Sequence, residues 1–154
     1  MVRPFLRNFI IFSAVSFVLQ FVWESVQSPV FYGGMPSVGI LLYATAGDVL
    51  MAEGLYLLLG LVNQWGNWMM RALAGQDWVI MVLYGLVLSF YGETRGLWTH
   101  RWHYSAAMPL IPGTSVGVVP VVQLPILGPV AFLMSRWLLT RWGVTDGTED
   151  VYFS

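Results

Sequence analysis

Three acidic side chains, Glu24, Asp48 and Glu93, lie within long apolar stretches of this 154-residue sequence. An ionised carboxylate is costly in hydrocarbon, so each of these acids needs a partner, a proton or a function. A carboxylic acid that stays protonated in an apolar pocket can act as a general acid. We therefore treat these three residues as candidate catalytic groups for acid–base chemistry.

Polar residues at helical spacing lead to these acids. In the first apolar stretch they are Ser13, Ser16, Gln20, Glu24 and Gln27. One helix face carries them all, and it must point into a bundle because lipid offers no hydrogen bonds. In the second stretch Thr45 shares a face with Asp48. In the third, Gly85, Ser89 and Glu93 recur every four residues, a spacing of small residues that lets helices pack closely.

A fourth acid, Glu53, stands apart from the other three. It follows Asp48 by five residues, so on a helix the two side chains point in different directions. We expect Glu53 to have a structural role, pairing with another helix or with a second subunit.

The segment 97–118 is rich in aromatic residues, glycine and proline, and it supplies further candidates. His100 and His103 are three residues apart, and a carboxylate nearby could complete a metal site. The spacing is not that of a zinc peptidase, and the aromatic surroundings favour an interfacial loop, so we expect neither a metal nor a cofactor. Arg95 and Arg101 are close enough in sequence to form a salt bridge with Glu93. The candidate substrate-binding residues are Trp23, Gln27, Trp98, Arg101, Trp102, His103, Tyr104 and Gln123.

The composition points to lipid as the solvent. The chain is 57% hydrophobic and 10% charged, whereas soluble domains carry about 25% charged residues. The absence of cysteine excludes disulfides and thiolate metal sites. The net charge of −1 argues against nucleic acid as a partner. The expected partners are the bilayer, a lipophilic small molecule and, in a homo-oligomer, a second copy of the chain.

A helix that spans a bilayer needs roughly 20 mostly apolar residues. Four stretches qualify, at about 8–27, 37–62, 77–96 and 119–139. The sequence therefore predicts an all-α integral membrane protein with four transmembrane helices, and an aromatic cap or re-entrant loop between the third and fourth. We assign residues 1–142 to a single domain. The polar tail 143–154 resembles a protease-site linker added for expression, and we set it aside.

The arginines predict the orientation. Four spans place one group of arginines on one side and leave Arg95 and Arg101 on the other. The larger group is Arg3, Arg7, Arg71, Arg136 and Arg141. Arginine-rich short segments stay in the cytoplasm, so both termini should face the cytoplasm from the inner membrane. The three candidate acids then lie at similar depth toward the opposite face.

Two segments resemble known families. The first is Trp23-Glu24-x-x-Gln27-x-Pro29-x-x-Tyr32 followed by Gly47-Asp48, and the second is Glu93, Arg101-Trp102-x-Tyr104, Met108-Pro109, Gly117 and Pro120-x-x-Gln123. Together they resemble a group of small bacterial four-helix membrane proteins. The second segment is more distantly similar to membrane carotenoid hydratases and lycopene cyclase-type enzymes, although the paired acids of the cyclase motif are missing here.

That resemblance implies chemistry on an isoprenoid. Hydration or cyclisation would begin when Glu93 or Asp48 protonates a C=C bond. Aromatic faces of Trp98, Trp102 and Tyr104 would stabilise the carbocation, and Gln123 would orient the acid or a water.

Three functions remain open. The leading one is a carboxylate-lined pocket for an isoprenoid-like ligand, with lyase, isomerase or cyclase chemistry. The second is an ion- or proton-linked carrier, or a metal-handling protein, that works as an oligomer and uses Glu53. The third is a structural subunit of a membrane complex in which the acids are packing bonds.

Overall fold

The structure is a computed structural model that describes residues 2–33, 37–64 and 67–143. Within these ranges the chain is all-helical, as predicted. The helices are α1 (Val2–Phe31), α2 (Val38–Val62), α3 (Gly75–Trp98) and α4 (Val118–Arg141), with a 3₁₀ turn at Trp68–Met70. The prediction for the polar tail falls on residues 144–154, which lie outside the described residues.

Three of the described helices are long and apolar enough to cross a membrane, namely α1 over Pro4–Phe31, α2 and α4. Helix α3 is as long as α4, at 24 residues. Its apolar part is shorter, because Gln76 and Asp77 stand in its first turn and Glu93 and Arg95 near its end. The structure therefore supports a membrane protein with at least three helices able to span a bilayer. The predicted fourth span is α3, which does not reach the apolar length of the other three.

Helix α4 holds the bundle together. It packs along both α3 and α1, and α1 packs along α2, whereas α2 and α3 touch over only a few residues. The α3–α4 contact brings the two backbones together at Gly85, where a Cβ atom would lie 2.7 Å from the Pro125 nitrogen. Close approach of this kind needs a residue without a side chain.

One half of the bundle is filled by an aromatic cluster of Phe9, Phe12, Tyr56, Trp68 and Phe132. The Phe12 and Phe132 ring centroids are 4.4 Å apart, and Tyr56 contacts five rings of α1, α4 and the 3₁₀ turn, including that of Phe5, at 5.1–6.0 Å. Packing of this density in the interior fixes the register of the helices.

The two ends of the bundle differ in charge. The Arg-rich end, next to the aromatic cluster, carries Arg7, Arg71, Arg136 and Arg141. A hydrogen bond of 2.9 Å from Asn8 Nδ2 to Asn67 Oδ1 joins the start of α1 to the 3₁₀ turn there. The opposite end, which we call the loop end, is where α1 and α3 finish and where residues 99–117 connect α3 to α4.

Two helix boundaries differ from those expected. Helix α1 continues through Ser28 and Pro29 to Phe31, since a proline in the last turn removes only one intrahelical bond and Tyr32 N–H still donates to Ser28 O at 3.1 Å. Helix α3 begins at Gly75, before Asp77. Asp77 therefore lies within the first turn of α3. Its carboxylate accepts hydrogen bonds from Ala74 N–H at 2.8 Å and from Asn63 Nδ2 at 2.9 Å.

The α3–α4 contact predicts a difference between two glycines. Gly85→Ala forces a methyl group against the Pro125 backbone, and overpacking of this kind costs about 1–3 kcal/mol. Gly47→Ala is the matched control, because no atom lies within 4 Å of its added Cβ and alanine is the better helix former by about 0.5–1 kcal/mol. Unfolding titrations in mixed micelles should show a loss of stability for the first variant and none for the second. Equal stabilities would contradict the close contact.

Candidate functional site

The interior of the loop end is polar, and the side-chain amide of Gln123 lies at its centre. Gln123 Nε2 donates to Gln20 Oε1 and to Asp48 Oδ2, both at 2.8 Å. Gln123 Oε1 accepts from Gln27 Nε2 at 3.1 Å. This buried amide therefore links α1, α2 and α4, as the polar face of α1 requires.

Glu24 and Asp48 form a pair. The buried Glu24 accepts from Gln27 Nε2 at 2.6 Å and from Ser28 Oγ at 3.3 Å. Gln27 and Gln123 link this carboxyl group to that of Asp48, because Gln27 bonds to Glu24 and Gln123, and Gln123 bonds to Asp48. The two carboxyl groups lie near enough to interact electrostatically, and such a pair is more stable when one member holds a proton. We call this arrangement the Glu24–Asp48 pair.

Glu93 is held in a different way, by two phenols and one indole. Tyr32 Oη lies 3.4 Å from both carboxyl oxygens, Trp102 Nε1 lies 3.2 Å from Oε2, and Tyr104 Oη makes a short hydrogen bond to the same oxygen. These contacts satisfy the carboxyl group in apolar surroundings, because the indole donates and each phenol can donate or accept. Glu24 lies near enough to interact with it electrostatically.

The loop 99–117 places two of these donors by folding back on α1 and α3. Ser105 N–H donates to Phe31 O at 2.8 Å and Ser105 Oγ donates to Val30 O at 2.7 Å, so the loop pairs with the end of α1. The Trp102 ring lies against the backbone of Gly96, where a Cβ atom would overlap it. Tyr104 Oη also accepts from Gly117 N–H at 3.1 Å, at the start of α4.

Tyr104 stays a hydrogen-bond donor over a wide pH range. Burial raises the pKa of its hydroxyl group above the usual value of 10.0, and the hydrogen bond to Glu93 raises that pKa further. Burial and then the Glu93 charge raise the pKa of Tyr32 in the same direction. Both phenols therefore remain protonated when Glu93 is ionised.

Several predicted site residues lie elsewhere. The side chain of Trp98 is 84% exposed, and Arg101 and His103 are exposed as well. His100 takes a left-handed conformation with φ 54° and closes α3, where its N–H bonds to Leu97 O at 3.1 Å. That is the backbone position usually taken by glycine after a helix, so His100 has a conformational role.

No salt bridge joins Glu93 to Arg95 or Arg101 among the described residues; its partners are the two phenols and the indole. Within the described part of the chain, no group of three or more His, Asp and Glu side chains is placed to hold a metal ion. The metal alternative therefore has no geometric support at His100 and His103.

The structure brings the remaining predicted residues together. Glu24, Asp48, Glu93, Gln27, Gln123, Trp102 and Tyr104 all contribute to the bonds described above, and Trp23 Nε1 donates to Gln27 Oε1 at 2.9 Å. Gln20, Ser28 and Tyr32 were not among the predicted site residues. Helical spacing already placed Gln20 on the polar face, and Ser28 lies four residues after Glu24, but only the fold brings Tyr32 to Glu93.

Asp48 and Glu93 are the more accessible acids, both half-buried, whereas Glu24 is buried. They lie on α2 and α3, the neighbouring helices that touch least. Towards the Arg-rich end, Tyr84 on α3 closes the space between α2 and α3, because its Oη donates to Met51 O at 3.0 Å. A separate apolar groove of about 600 Å³ lies along the outer face of α3, and its lining does not include these acids.

Comparison with known proteins yields no relatives. No family model matches the chain, and neither curated proteins nor solved structures give a match.

The Tyr104 hydroxyl predicts an alkaline loss of stability. Because its pKa is raised in the folded protein, the unfolded chain ionises first as the pH rises. The stability that this hydroxyl contributes is fully present below pH 10 and falls as the pH rises above that value. Tyr104→Phe should lower stability at neutral pH by about 1–3 kcal/mol, the usual cost of leaving a buried partner without its hydrogen bond, and should flatten the alkaline decline. Tyr43→Phe, at a residue that is 67% exposed, is the control and should leave the pH profile unchanged. A profile equally steep in both variants would rule out this assignment.

Proposed function

We propose that this protein is a four-span inner-membrane protein that carries out acid–base chemistry on a lipophilic, isoprenoid-like ligand. The observation that carries the proposal is the Glu24–Asp48 pair, two carboxyl groups joined through the hydrogen bonds of Gln27 and Gln123 inside an apolar bundle. A pair that shares one proton offers an acid and a base in one place, as in aspartic proteases.

In this proposal α3 is the fourth span. Its outward surface carries exposed apolar side chains, Val79, Leu83 and Val87 among them, and it packs along α4 for much of its length. The Arg-rich end faces the cytoplasm, together with both termini. The loop 99–117 then forms an aromatic cap at the opposite interface, where tryptophan and tyrosine are favoured.

The chemistry starts at Asp48, the half-buried member of the pair. A proton passes from the pair to one carbon of a C=C bond, which forms a C–H bond and leaves a carbocation on the neighbouring carbon. The charge of Glu93 and the faces of Tyr32 and Trp102 stabilise that cation. Loss of a different proton to the carboxylate completes an isomerisation. In a cyclisation a second C=C bond of the ligand first attacks the cation, which forms the ring C–C bond and moves the charge, and a proton is then lost to the carboxylate. Capture of water with loss of its proton completes a hydration.

Lipid extracts of the purified protein provide the test. Mass spectrometry identifies the alkene that co-purifies, and incubation of that alkene with protein in deuterated water measures deuterium gained at carbon. Asp48→Asn, Glu24→Gln and Glu93→Gln should each lower this rate, and removal of the general acid should lower it by about 10²–10⁴-fold. Glu53→Gln is the control, since Glu53 takes no part in the pair, and should keep the wild-type rate.

The same variants separate catalysis from packing. If Asp48→Asn, Glu24→Gln and Glu93→Gln all retain the wild-type rate and only unfold more easily, the acids are packing bonds and the catalytic proposal fails. A loss of rate in Glu53→Gln equal to that in Asp48→Asn would also contradict it.

One observation favours a second function, an oligomeric proton-linked carrier. Glu53 lies near the middle of α2, is half-buried and has no side-chain partner among the described residues. A carboxyl at that depth calls for a partner, which a second copy could supply. Proteoliposomes that carry a pH gradient would show proton flux through the wild type and none through Glu53→Gln. Equal flux in Glu53→Gln and wild type, or no flux above empty vesicles, would exclude the carrier.

A further inference from the structure

We propose that Arg71 and Arg136 form a binding site for the phosphate of an anionic phospholipid headgroup. The site lies at the Arg-rich end, so it is separate from the three acids at the loop end. It depends on membrane insertion of the bundle and not on the acid–base chemistry proposed above.

The backbone beside Arg71 is firmly anchored. The 3₁₀ turn that precedes it buries Trp68, Met69 and Met70, each no more than 4% exposed. Arg71 N–H donates to Trp68 O at 3.1 Å, which closes that turn. Arg71 is exposed immediately after three buried residues, so its side chain starts from a fixed point at the surface.

A hydrogen bond brings the second arginine to the same point. Arg136 Nη1 donates to the Arg71 carbonyl oxygen at 2.8 Å. Arg136 follows the fully buried Ser135 on α4, so the position of its guanidinium is set by the core on one side and by this bond on the other. The guanidinium of Arg136 on α4 therefore lies at the backbone of Arg71, from which a second cationic side chain starts.

Neither guanidinium is neutralised by the described residues. Asp77, the buried acid of this half, already accepts hydrogen bonds from Ala74 and Asn63, and no described carboxylate pairs with Arg71 or Arg136. An anion at this point is attracted by both unneutralised charges, because one cation ends there and the other side chain starts there. Each guanidinium has five N–H donors, and Arg136 spends one on the Arg71 carbonyl. The remaining donors match the oxygens of a phosphate.

The surroundings place this site at headgroup depth. Trp137 and Trp142, on the same end of α4, are 55% and 66% exposed, and the Arg141 guanidinium lies 5.1 Å from the Trp137 ring centroid. Exposed tryptophans at the end of a membrane helix mark the interface between acyl chains and headgroups. Basic sites between helices at this level bind anionic lipid headgroups. The phosphate available there belongs to a phospholipid.

Native mass spectrometry of the full-length protein tests this site. Detergent micelles are loaded with equal amounts of phosphatidylglycerol and phosphatidylcholine, and the bound lipid is counted for each protein. The wild type should retain phosphatidylglycerol in preference to phosphatidylcholine. Arg71→Gln and Arg136→Gln should each weaken that preference about fivefold, the effect of one basic charge at a membrane surface. Arg136→Lys, which keeps the charge, should restore most of it.

The control is Arg101→Gln, an exposed arginine at the loop end, which should keep the full preference. Arg71→Gln breaks no hydrogen bond described here, so its effect cannot be attributed to misfolding. Equal losses in Arg101→Gln and Arg71→Gln, or no preference in the wild type, would overturn the site. In a final experiment, inorganic phosphate is added at millimolar concentration as a competitor. If it displaces phosphatidylglycerol completely, the site takes a free anion and the lipid assignment is wrong.

Discussion

The free-energy cost of placing carboxyl groups in an apolar bundle determines how the loop end is built. Each acid must receive hydrogen bonds from within the protein, and the chain provides them in two ways. Glu24 and Asp48 bond to the glutamines, with the Gln123 amide bridging three helices. Glu93 instead receives three neutral donors, two of them from the loop. The helices and the loop therefore satisfy different acids, and both are needed to complete one site.

The division of the bundle into a polar half and an aromatic half follows from the same cost. Below Gln20, towards the Arg-rich end, the described interior polar groups of α1 are Ser16 and Ser13, whose hydroxyls have no protein partner, followed by Phe12. The aromatic cluster then occupies the interior as far as the Asn8–Asn67 hydrogen bond. A proton that crossed one copy of the chain would have to pass this apolar layer, whereas the acid–base chemistry that we propose takes place on one side of it.

Helical periodicity was sufficient to predict the part of the site that lies on helices. The spacing of Gln20, Glu24 and Gln27 determined which face of α1 is interior, and the alternating helix directions placed Asp48 and Glu93 at a depth similar to that of Glu24. The residues of the loop carry no such period, so neither the burial of Trp102 nor the exposure of Trp98 could be inferred. Tyr32 was hidden for a related reason: α1 continues through Pro29, and those added residues carry Tyr32 to Glu93.

Helix α3 shows why the least apolar helix can still be essential to the site. Its charged residues shorten its apolar stretch, so its position depends on contacts with neighbours more than on lipid. Two glycines provide those contacts, because Gly85 admits the Pro125 backbone and Gly96 admits the Trp102 ring. Glu93 lies between them along the helix. A side chain at the first would push α3 away from α4, and one at the second would displace an N–H donor of Glu93. The orientation of this acid is therefore set by the absence of side chains at two positions as much as by the donors that bind it.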